Sequence, residues 1–415
     1  MHVVTSKAGG IGCMIGALLL LGTWPAIFNW LERRGRLPQH TFLDYAITNY
    51  AVAIIVALTL GQIGPSTPET PNFTDQLSQD NGASVGFALA GGVVLCGGNL
   101  AVQYALAYVG LAVAETVTAS MTVVGGTTIN FFLDGRINRA EILFPGVACF
   151  LVAVILGSFL HYLNTQDERR RMAGAAHDAT EDSAHKLPMG TTAGGGKLGA
   201  KVEDTKDTEA AVPAGTARFA PGSGVEHALK VEGKRAIKVS GASVFVGLTL
   251  VCISGLCYIL FSPALNLATN DQWNLLPPGV PNLVIYTAYF YFSTAFFFVA
   301  FTLNIIFLYF PILGLPKSSL MAWIKDWRLR PVALLAGFIC GWGNALQFMG
   351  GQAAGYAAAD SVQALPLVST FWGIVLFKEY WWSSFKTRAV LTAMLLMFAL
   401  AVGLLMGSAG TRKTD

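Results

Sequence analysis

Long apolar runs, separated by short polar segments, dominate the pattern of this chain. A helix that crosses the hydrocarbon core of a bilayer, about 30 Å thick, needs about 20 predominantly apolar residues. By that measure the sequence predicts ten membrane-spanning helices, which we call spans 1 to 10. They lie near residues 10–30, 43–63, 84–108, 111–133, 140–161, 240–262, 284–309, 332–350, 356–377 and 388–408. The pattern therefore predicts an all-α integral membrane protein.

Composition agrees with a lipid environment. The 415 residues are 53% hydrophobic and 12% charged, whereas a soluble domain carries about 25% charged residues. The net charge of +3 is too small to indicate a nucleic-acid partner. All six cysteines fall inside spans, where cysteine acts as a small apolar residue, so we expect no disulfide framework. The lipid bilayer is thus the first partner that the composition implies.

Basic residues in short loops predict the orientation, because cytoplasmic loops carry an excess of Lys and Arg. The loops after spans 1, 7 and 9 are basic. All three follow odd-numbered spans and so lie on the same side of the membrane. We therefore place them in the cytoplasm and both termini outside. The loop after span 2 is acidic without any Lys or Arg, and it holds one glycosylation triplet at Asn72. The loop at 134–141 disagrees with this orientation, since it would place Arg136 and Arg139 on the outer face.

Residues 163–239 form one long polar insertion. Its Lys and Arg residues nearly balance its Asp and Glu residues, and its Gly/Pro/Ala-rich stretches predict a mostly disordered cytoplasmic linker. The stretch "GGGK" resembles part of a phosphate-binding loop, but Thr191 and Leu198 stand where that motif needs Gly and Ser or Thr. The predicted organisation is a first five-helix half at 1–162, this linker, and a second half at 240–410.

The two halves resemble each other at an offset of 245 residues. "CGGNLAVQYALAYVGLAVAETV" (96–117) aligns without gaps on "GWGNALQFMGGQAAGYAAADSV" (341–362). Five spans in each half force the second copy to run through the membrane in the inverted sense. Inverted five-helix repeats are typical of carriers that alternate access, with a substrate site where the repeats meet. The sequence therefore predicts two inverted repeats; chance similarity between Gly/Ala-rich helices is the alternative.

Polar side chains inside the spans are the candidate functional residues. Residues three or four apart share a helix face, so the amides in spans 3 and 8 form one polar patch on each span. Such amides either join helices or contact a substrate. A tryptophan beside Pro25 either stacks on a ring or anchors a kink. The predicted substrate-binding residues are Trp24, Asn99, Gln103, Thr118, Asn344, Gln347 and Gln363.

Two carboxylates within the spans predict ion coupling. A charged side chain in mid-bilayer costs at least about 2.5–3.5 kcal/mol, so it must face a cavity, find a partner or carry a proton. Glu115 and Asp360 occupy equivalent positions in the two halves, and we predict proton coupling at either one. Both could instead be interfacial residues that reach the headgroups, and we expect Asp44 to be interfacial.

Other chemistry finds little support. The six histidines lie in loops or at span ends, and no cluster has the spacing of a zinc site. We therefore predict that the protein is not an enzyme and has no cofactor or metal. A neutral, amide-rich pocket suits a small, uncharged solute with several hydrogen-bonding groups.

Long stretches of the sequence resemble the plant ureide permeases. They include "SKAGGIGCMIGALLLLGTWPAIFNWLERRGRLPQHTFLDYAITN" (6–49), "LFSPALNLATNDQW" (260–273) and "QFMGGQAAGYAAADSVQALPLVSTFWGIVLFKEY" (347–380). The resemblance implies a fold like that of the drug/metabolite transporters. It also implies a plasma-membrane carrier that moves allantoin and related oxo-derivatives of nitrogen heterocycles, including uracil, together with protons. Members of that family carry a nucleotide-binding-like motif in the central loop, and this sequence departs from it.

Three alternatives remain open from the sequence. A carrier of the same fold class could move sugars or nucleotide sugars. A passive channel would show no accumulation above equilibrium. A receptor or scaffold would depend on the 163–239 linker rather than on a substrate site. The sequence leaves the oligomeric state undetermined.

Overall fold

The computed structural model describes residues 3–185, 243–378 and 380–410, which form helices and connecting loops without any β-strand. The helices are Lys7–Leu21, Trp24–Arg33, Pro38–Leu58, Phe73–Gln76, Gly82–Leu133, Ala140–His185, Ser243–Asn270, Ile285–Tyr309, Leu320–Lys325, Arg330–Ala354, Tyr356–Ala359, Leu365–Phe377 and Phe385–Gly407, with a 3₁₀ turn at Asp360–Gln363. The chain is thus all-α over the part that the structure describes.

Ten stretches of the described helices are long and apolar enough to cross a membrane. Spans 1 to 10 are Lys7–Arg33, Pro38–Leu58, Gly82–Leu111, Val113–Leu133, Ala140–Asp167, Phe245–Asn270, Ile285–Tyr309, Arg330–Ala354, Tyr356–Phe377 and Phe385–Gly407. The ten predicted spans are confirmed, with the largest displacements in spans 2 and 6. The chain is a multi-pass membrane protein.

Two glycines divide neighbouring spans without any loop. Gly110 breaks the helix one residue before span 3 ends, with φ 78° and ψ 167°, and Gly355 separates spans 8 and 9 with φ 93° and ψ 137°. Glycine adopts positive φ without the steric cost that a Cβ brings. The offset of 245 equates these two positions, so the same break recurs at matching places in both halves. The inverted arrangement of the halves stays a prediction.

Prolines interrupt the spans differently in the two halves. In span 1 the first helix ends at Leu21 and a second begins at Trp24, with Pro25 in its first turn, where its missing N–H costs nothing. Pro263, by contrast, lies inside the continuous helix Ser243–Asn270. Only Pro25 coincides with a break between helices.

The chain divides by its internal contacts into two units, Met1–Asn164 with Lys234–Asp415, and Thr165–Gly233. The helix that contains span 5 continues to His185, beyond residue 162, at which we predicted the first half to end. The described part of the second unit is helical. The remainder of the predicted linker, 186–239, lies outside the described residues.

The predicted basic loops meet at one end of the first unit. Arg36 in the loop after span 1 donates to the Arg328 carbonyl in the loop after span 7. The Arg33 guanidinium lies 4.4 Å from the centroid of the Phe377 ring, where span 9 ends. The common location of these three loops, which we call the basic end, is confirmed. That this end faces the cytoplasm stays a prediction.

Candidate functional site

Four of the predicted site residues line one internal cavity between spans 1, 3, 6, 8 and 9. Trp24, Asn99, Asn344 and Gln363 form its walls together with Tyr258, Cys340 and four apolar side chains, around a volume of about 20 Å³. A volume of that size holds about one water molecule, so this conformation is closed around the site and the surrounding helices must move apart before a solute can enter. Its residues come from both halves of the chain.

A chain of hydrogen bonds fixes the side of the cavity that the first half supplies. Asn99 Nδ2 donates to the Tyr45 hydroxyl at 2.7 Å, and the Tyr258 hydroxyl donates to Asn99 Oδ1 at 2.7 Å. The Tyr45 hydroxyl in turn lies 2.9 Å from Cys340 Sγ. Both polar atoms of the Asn99 amide are therefore occupied, and the amide joins spans 2, 3 and 6.

The second half leaves polar atoms open at the cavity. Asn344 Nδ2 lies 3.6 Å from Cys340 Sγ, while its Oδ1 has no hydrogen-bond partner among the described residues. Gln363 Nε2 donates to Gln347 Oε1 at 3.1 Å, and Gln363 Oε1 likewise has no described partner. Gln347 Nε2 is buried without a partner behind the residues that line the cavity. Two acceptors thus remain at the cavity for a solute that offers N–H groups.

Aromatic rings form the adjoining wall. The Trp24 ring centroid lies 5.1 Å from that of Phe28, edge to face, and 5.6 Å from that of Tyr45. The helix break before Trp24 directs this side chain into the cavity wall, where it is 3% exposed. An aromatic surface beside open amides suits a flat heterocycle, since stacked rings and hydrogen-bonded edges hold different faces of one solute.

Asp360 lies in a second polar cluster, away from the cavity walls. Its side chain is 0% exposed, and Oδ2 accepts from Asn130 Nδ2 at 2.8 Å. Asn130 Nδ2 also lies 2.8 Å from Ser262 Oγ, and Asn130 Oδ1 accepts from Asn266 Nδ2 at 3.0 Å. The second carboxyl oxygen, Oδ1, is buried without a partner. No Lys, Arg or His in the described ranges forms an ion pair with this carboxyl.

Glu115 is buried in a different setting. It is 2% exposed, and its carboxyl makes no hydrogen bond or ion pair with any residue that the structure describes. Tyr258, which lines the cavity, lies within electrostatic range of this carboxyl. The two matched carboxylates therefore have dissimilar surroundings, one held by an amide beside a hydroxyl and the other without partners.

Two predicted binding residues lie away from the cavity and bind backbone instead. Gln103 Nε2 donates to the Pro38 carbonyl at 2.7 Å. Thr118 Oγ1 donates to the Ala114 carbonyl in its own helix at 2.8 Å. Substrate contact at either one stays a prediction that this conformation does not display. Across the described residues, no three His, Cys, Asp or Glu side chains come together as a metal site would require.

Comparison with known proteins places the chain in a family. The family model described as "Ureide permease" matches residues 41–408. The chain is 57% identical to "Ureide permease 2" of Arabidopsis thaliana over 417 residues, with 100% of both chains covered. The chain belongs to the ureide permease family. It is also 57% identical to "Ureide permease 1" of Arabidopsis thaliana over 413 residues, with both chains covered completely. It is 52% identical to "Probable ureide permease A3" of Vigna unguiculata over 397 residues, with 93% and 99% covered.

The ureide permease match includes almost the whole candidate site. Asn99, Gln363 and both carboxylates fall within 41–408. Trp24 precedes the family model but lies within the full-length similarity to the Arabidopsis relatives. Family membership thus agrees with the resemblance read from the sequence, and the residues that line the cavity belong to the shared part of the chain.

A buried ion cluster at the basic end was not foreseen. Asp44 Oδ2 lies 2.5 Å from Arg36 Nη2, and Asp44 Oδ1 lies 3.2 Å from Arg330 Nε and 2.9 Å from the indole Nε1 of Trp323. Asp44 is 1% exposed, because these partners enclose it; that it lies at the level of the membrane interface stays a prediction. The cluster ties spans 1 and 2 in the first half to the segment before span 8 in the second.

His40 adds a second connection at the same end. Its Nδ1 lies 2.8 Å from Asp326 Oδ2 and its Nε2 lies 2.8 Å from Ser318 Oγ. Arg36 Nη1 is 3.3 Å from the same Asp326 oxygen. These contacts join the two halves across the basic end, and any movement that opens this end must break them.

Sequence reasoning missed the partners rather than the principal residues. Tyr45, Tyr258 and Cys340 complete the cavity and its hydrogen bonds, and Asn130 and Ser262 complete the Asp360 cluster. A signal for Asn130 existed, because it lies four residues before Asp134 and both are polar in an otherwise apolar segment. Nothing in the sequence pairs tyrosines that are distant along the chain.

Proposed function

We propose that this protein is a proton-coupled secondary transporter in the plasma membrane. Its substrates are ureides such as allantoin and related oxo-nitrogen heterocycles, including uracil. The observation that carries the proposal is the cavity between the two halves, where Asn344 Oδ1 and Gln363 Oε1 remain unpaired. The names of its relatives, ureide permeases, support the same class of substrate. The cavity has no charged wall residue, which favours an uncharged solute.

The proposed cycle alternates access between the two ends. With the predicted outer side open, a proton neutralises Asp360 or Glu115 and the substrate binds in the cavity. Rearrangement of the halves then opens the basic end, where the Asp44 ion cluster must separate. Release of substrate and proton resets the carrier. Buried carboxylates support this scheme, because an uncompensated charge in hydrocarbon opposes movement until it is neutralised.

Uptake into cells that lack their own carriers tests the proposal. We expect labelled allantoin and uracil to accumulate above equilibrium with an inward proton gradient, and a protonophore to abolish accumulation. Replacement of sodium by choline should leave uptake unchanged, since the coupling ion of the proposed cycle is the proton.

Each competing function has its own outcome in that experiment. Competition by sugars or nucleotide sugars but not by uracil would indicate a carrier for sugars. Equilibration without accumulation would indicate a channel. Loss of uptake on deletion of most of 170–220 would indicate that the linker, not the cavity, carries the function.

A further inference from the structure

Asp134 ends span 4 on the helix face that packs against Asp360. Asn130, one turn earlier, donates directly to the Asp360 carboxyl. A Cβ placed on Gly126, a further turn back, would lie 3.3 Å from Asp360 Oδ2. Residues spaced by four share a face, so positions 126, 130 and 134 form one stripe along this contact. Asp134 is the residue of that stripe nearest the end of the helix.

A second contact joins Asp134 to the segment that carries Asp360. Asp134 Oδ2 accepts from the backbone N–H of Tyr356 at 2.9 Å, and Tyr356 begins the segment that leads to Asp360. Asp360 Oδ2 lies beside positions 126 and 130, so the carboxyls stand one to two helical turns apart, about 6 to 12 Å. A proton crosses that separation along bridging waters or after side-chain rotation.

Asp134 lies between solvent and the buried carboxyl. Its side chain is 6% exposed, against 0% for Asp360. Phe131, Phe132 and residues 136–141, which flank it, line an open depression at the end of the bundle opposite the basic end. Asp360 Oδ1, which has no partner, provides an acceptor for an arriving proton.

Several charged and titratable groups of the described residues lie near this pair. Tyr356 contributes a hydroxyl that lies 3.0 Å from Thr269 Oγ1. Arg136, Arg139 and Glu141 lie on the neighbouring loop, and the Arg136 guanidinium sits 5.3 Å from the Phe132 ring centroid. Among the described residues no basic side chain of this loop forms an ion pair with Asp360, so its carboxyl is open to a proton that arrives from this side.

We propose that Asp134 is the outer-side proton donor to Asp360 in the transport cycle. The step breaks the O–H bond of a protonated Asp134 and forms one at Asp360 Oδ1, with the proton carried along bridging waters; Asp134 then regains a proton from solvent. The inference rests on the proposed function, since it presupposes that Asp360 carries the coupled proton. The simpler role for Asp134 is to cap the helix that begins at Tyr356.

Asp134→Asn separates the two roles. The amide oxygen still accepts from the Tyr356 N–H, so the cap is retained, whereas the amide carries no transferable proton. The full chain, reconstituted in liposomes, is assayed with labelled allantoin in two ways: accumulation driven by a proton gradient, and exchange against internal unlabelled allantoin without a gradient. We expect the rate of accumulation to fall at least ~10-fold and exchange to stay within about twofold of the unchanged protein, because exchange needs no net proton transfer.

The controls decide between the possible failures. Glu141→Gln removes an exposed carboxyl from the same loop and should change neither assay, and Asp134→Glu, which restores a titrating group, should recover accumulation. Full accumulation in Asp134→Asn, or equal loss of accumulation and exchange, overturns the inference in favour of capping. If the unchanged protein itself shows no dependence on the proton gradient, the proposed function fails instead, whatever Asp134 does.

Discussion

The two halves of the chain place matched residues in the same backbone frame but give them different surroundings. Gly110 and Gly355 both break their helices at positive φ. Among the side chains, however, the first-half Asn99 has both polar atoms occupied, whereas its counterpart Asn344 keeps an oxygen open at the cavity. The first half thus holds the cavity in shape, and the second half offers it free hydrogen-bonding groups.

The two matched carboxylates, Asp360 and Glu115, also differ in their surroundings. Asp360 is held by Asn130 beside Ser262, and the Glu115 carboxyl has no described hydrogen-bond partner. Because Asp360 is hydrogen-bonded, its carboxyl has a defined geometry for proton transfer. The Glu115 carboxyl gains a hydrogen-bond partner only when the protein moves or when substrate binds. The matched positions therefore share their backbone breaks more closely than they share the chemistry of their side chains.

The largest effect is expected at Asp360. With an inward gradient of one pH unit, a carrier that moves one proton per substrate accumulates its substrate up to about 10-fold. Asp360→Asn keeps an acceptor for Asn130 but cannot release a proton, so we expect accumulation to fall to equilibrium. Glu115→Gln should retain most of it. Uptake of labelled allantoin in reconstituted liposomes measures both.

Two outcomes would break this comparison. Full accumulation in both variants would place proton coupling elsewhere in the chain. Loss in Glu115→Gln with retention in Asp360→Asn would reverse the roles of the halves, and the carboxyl without described partners would then be the coupling group.

Substitution of the two glycines at the helix breaks, Gly110 and Gly355, should lower the stability of the protein by different amounts, although both have positive φ. An alanine at positive φ of this kind costs on the order of 1–3 kcal/mol, which applies to both positions. At Gly355 a Cβ would also lie 2.6 Å from Asn138 Oδ1, while at Gly110 nothing lies within 4 Å. We therefore expect Gly355→Ala to lower the thermal unfolding temperature in detergent more than Gly110→Ala does.

A helical glycine supplies the control for that measurement. Gly403 lies inside the helix of span 10, and a methyl group added there would have nothing within 4 Å. Because alanine favours a helix more than glycine does, Gly403→Ala should be neutral or stabilising. Equal losses at Gly110 and Gly355 would show that backbone strain alone sets the cost.

The spans were predictable because hydrophobic length is a local property of the sequence. The amides were predictable as polar exceptions, and four predicted residues do line one cavity. The partners of Asn99 were not, since Tyr45 and Tyr258 are brought to it by packing between distant spans. The burial of Asp44 was missed for the same reason: its partner Arg330 lies 286 residues further along the chain.

A smaller effect is expected for the matched asparagines. Asn344→Ala removes an open acceptor, and the loss of one hydrogen bond to substrate, about 1.4 kcal/mol, raises the KM for allantoin about 10-fold. Asn99→Ala instead leaves the Tyr45 and Tyr258 hydroxyls without their amide partner, so we expect less folded protein as its main consequence. KM from uptake kinetics and the yield of monodisperse protein in detergent distinguish the two. A rise in KM confined to Asn99→Ala would contradict the assignment of Asn99 to a structural role and of Asn344 to substrate binding.

The smallest effect is expected at Thr118, which the offset of 245 equates with Gln363. Thr118 Oγ1 is already bonded to its own helix, so Thr118→Ala removes no group that a substrate can reach. We expect its KM for allantoin to stay within about twofold, because a substitution away from the binding contacts is close to neutral. Gln363→Ala, the matched variant, deletes an open oxygen at the cavity wall and should raise KM severalfold. If Thr118→Ala raises KM as much as Gln363→Ala does, the threonine must turn toward substrate in another conformation. The two halves would then share the binding contacts equally.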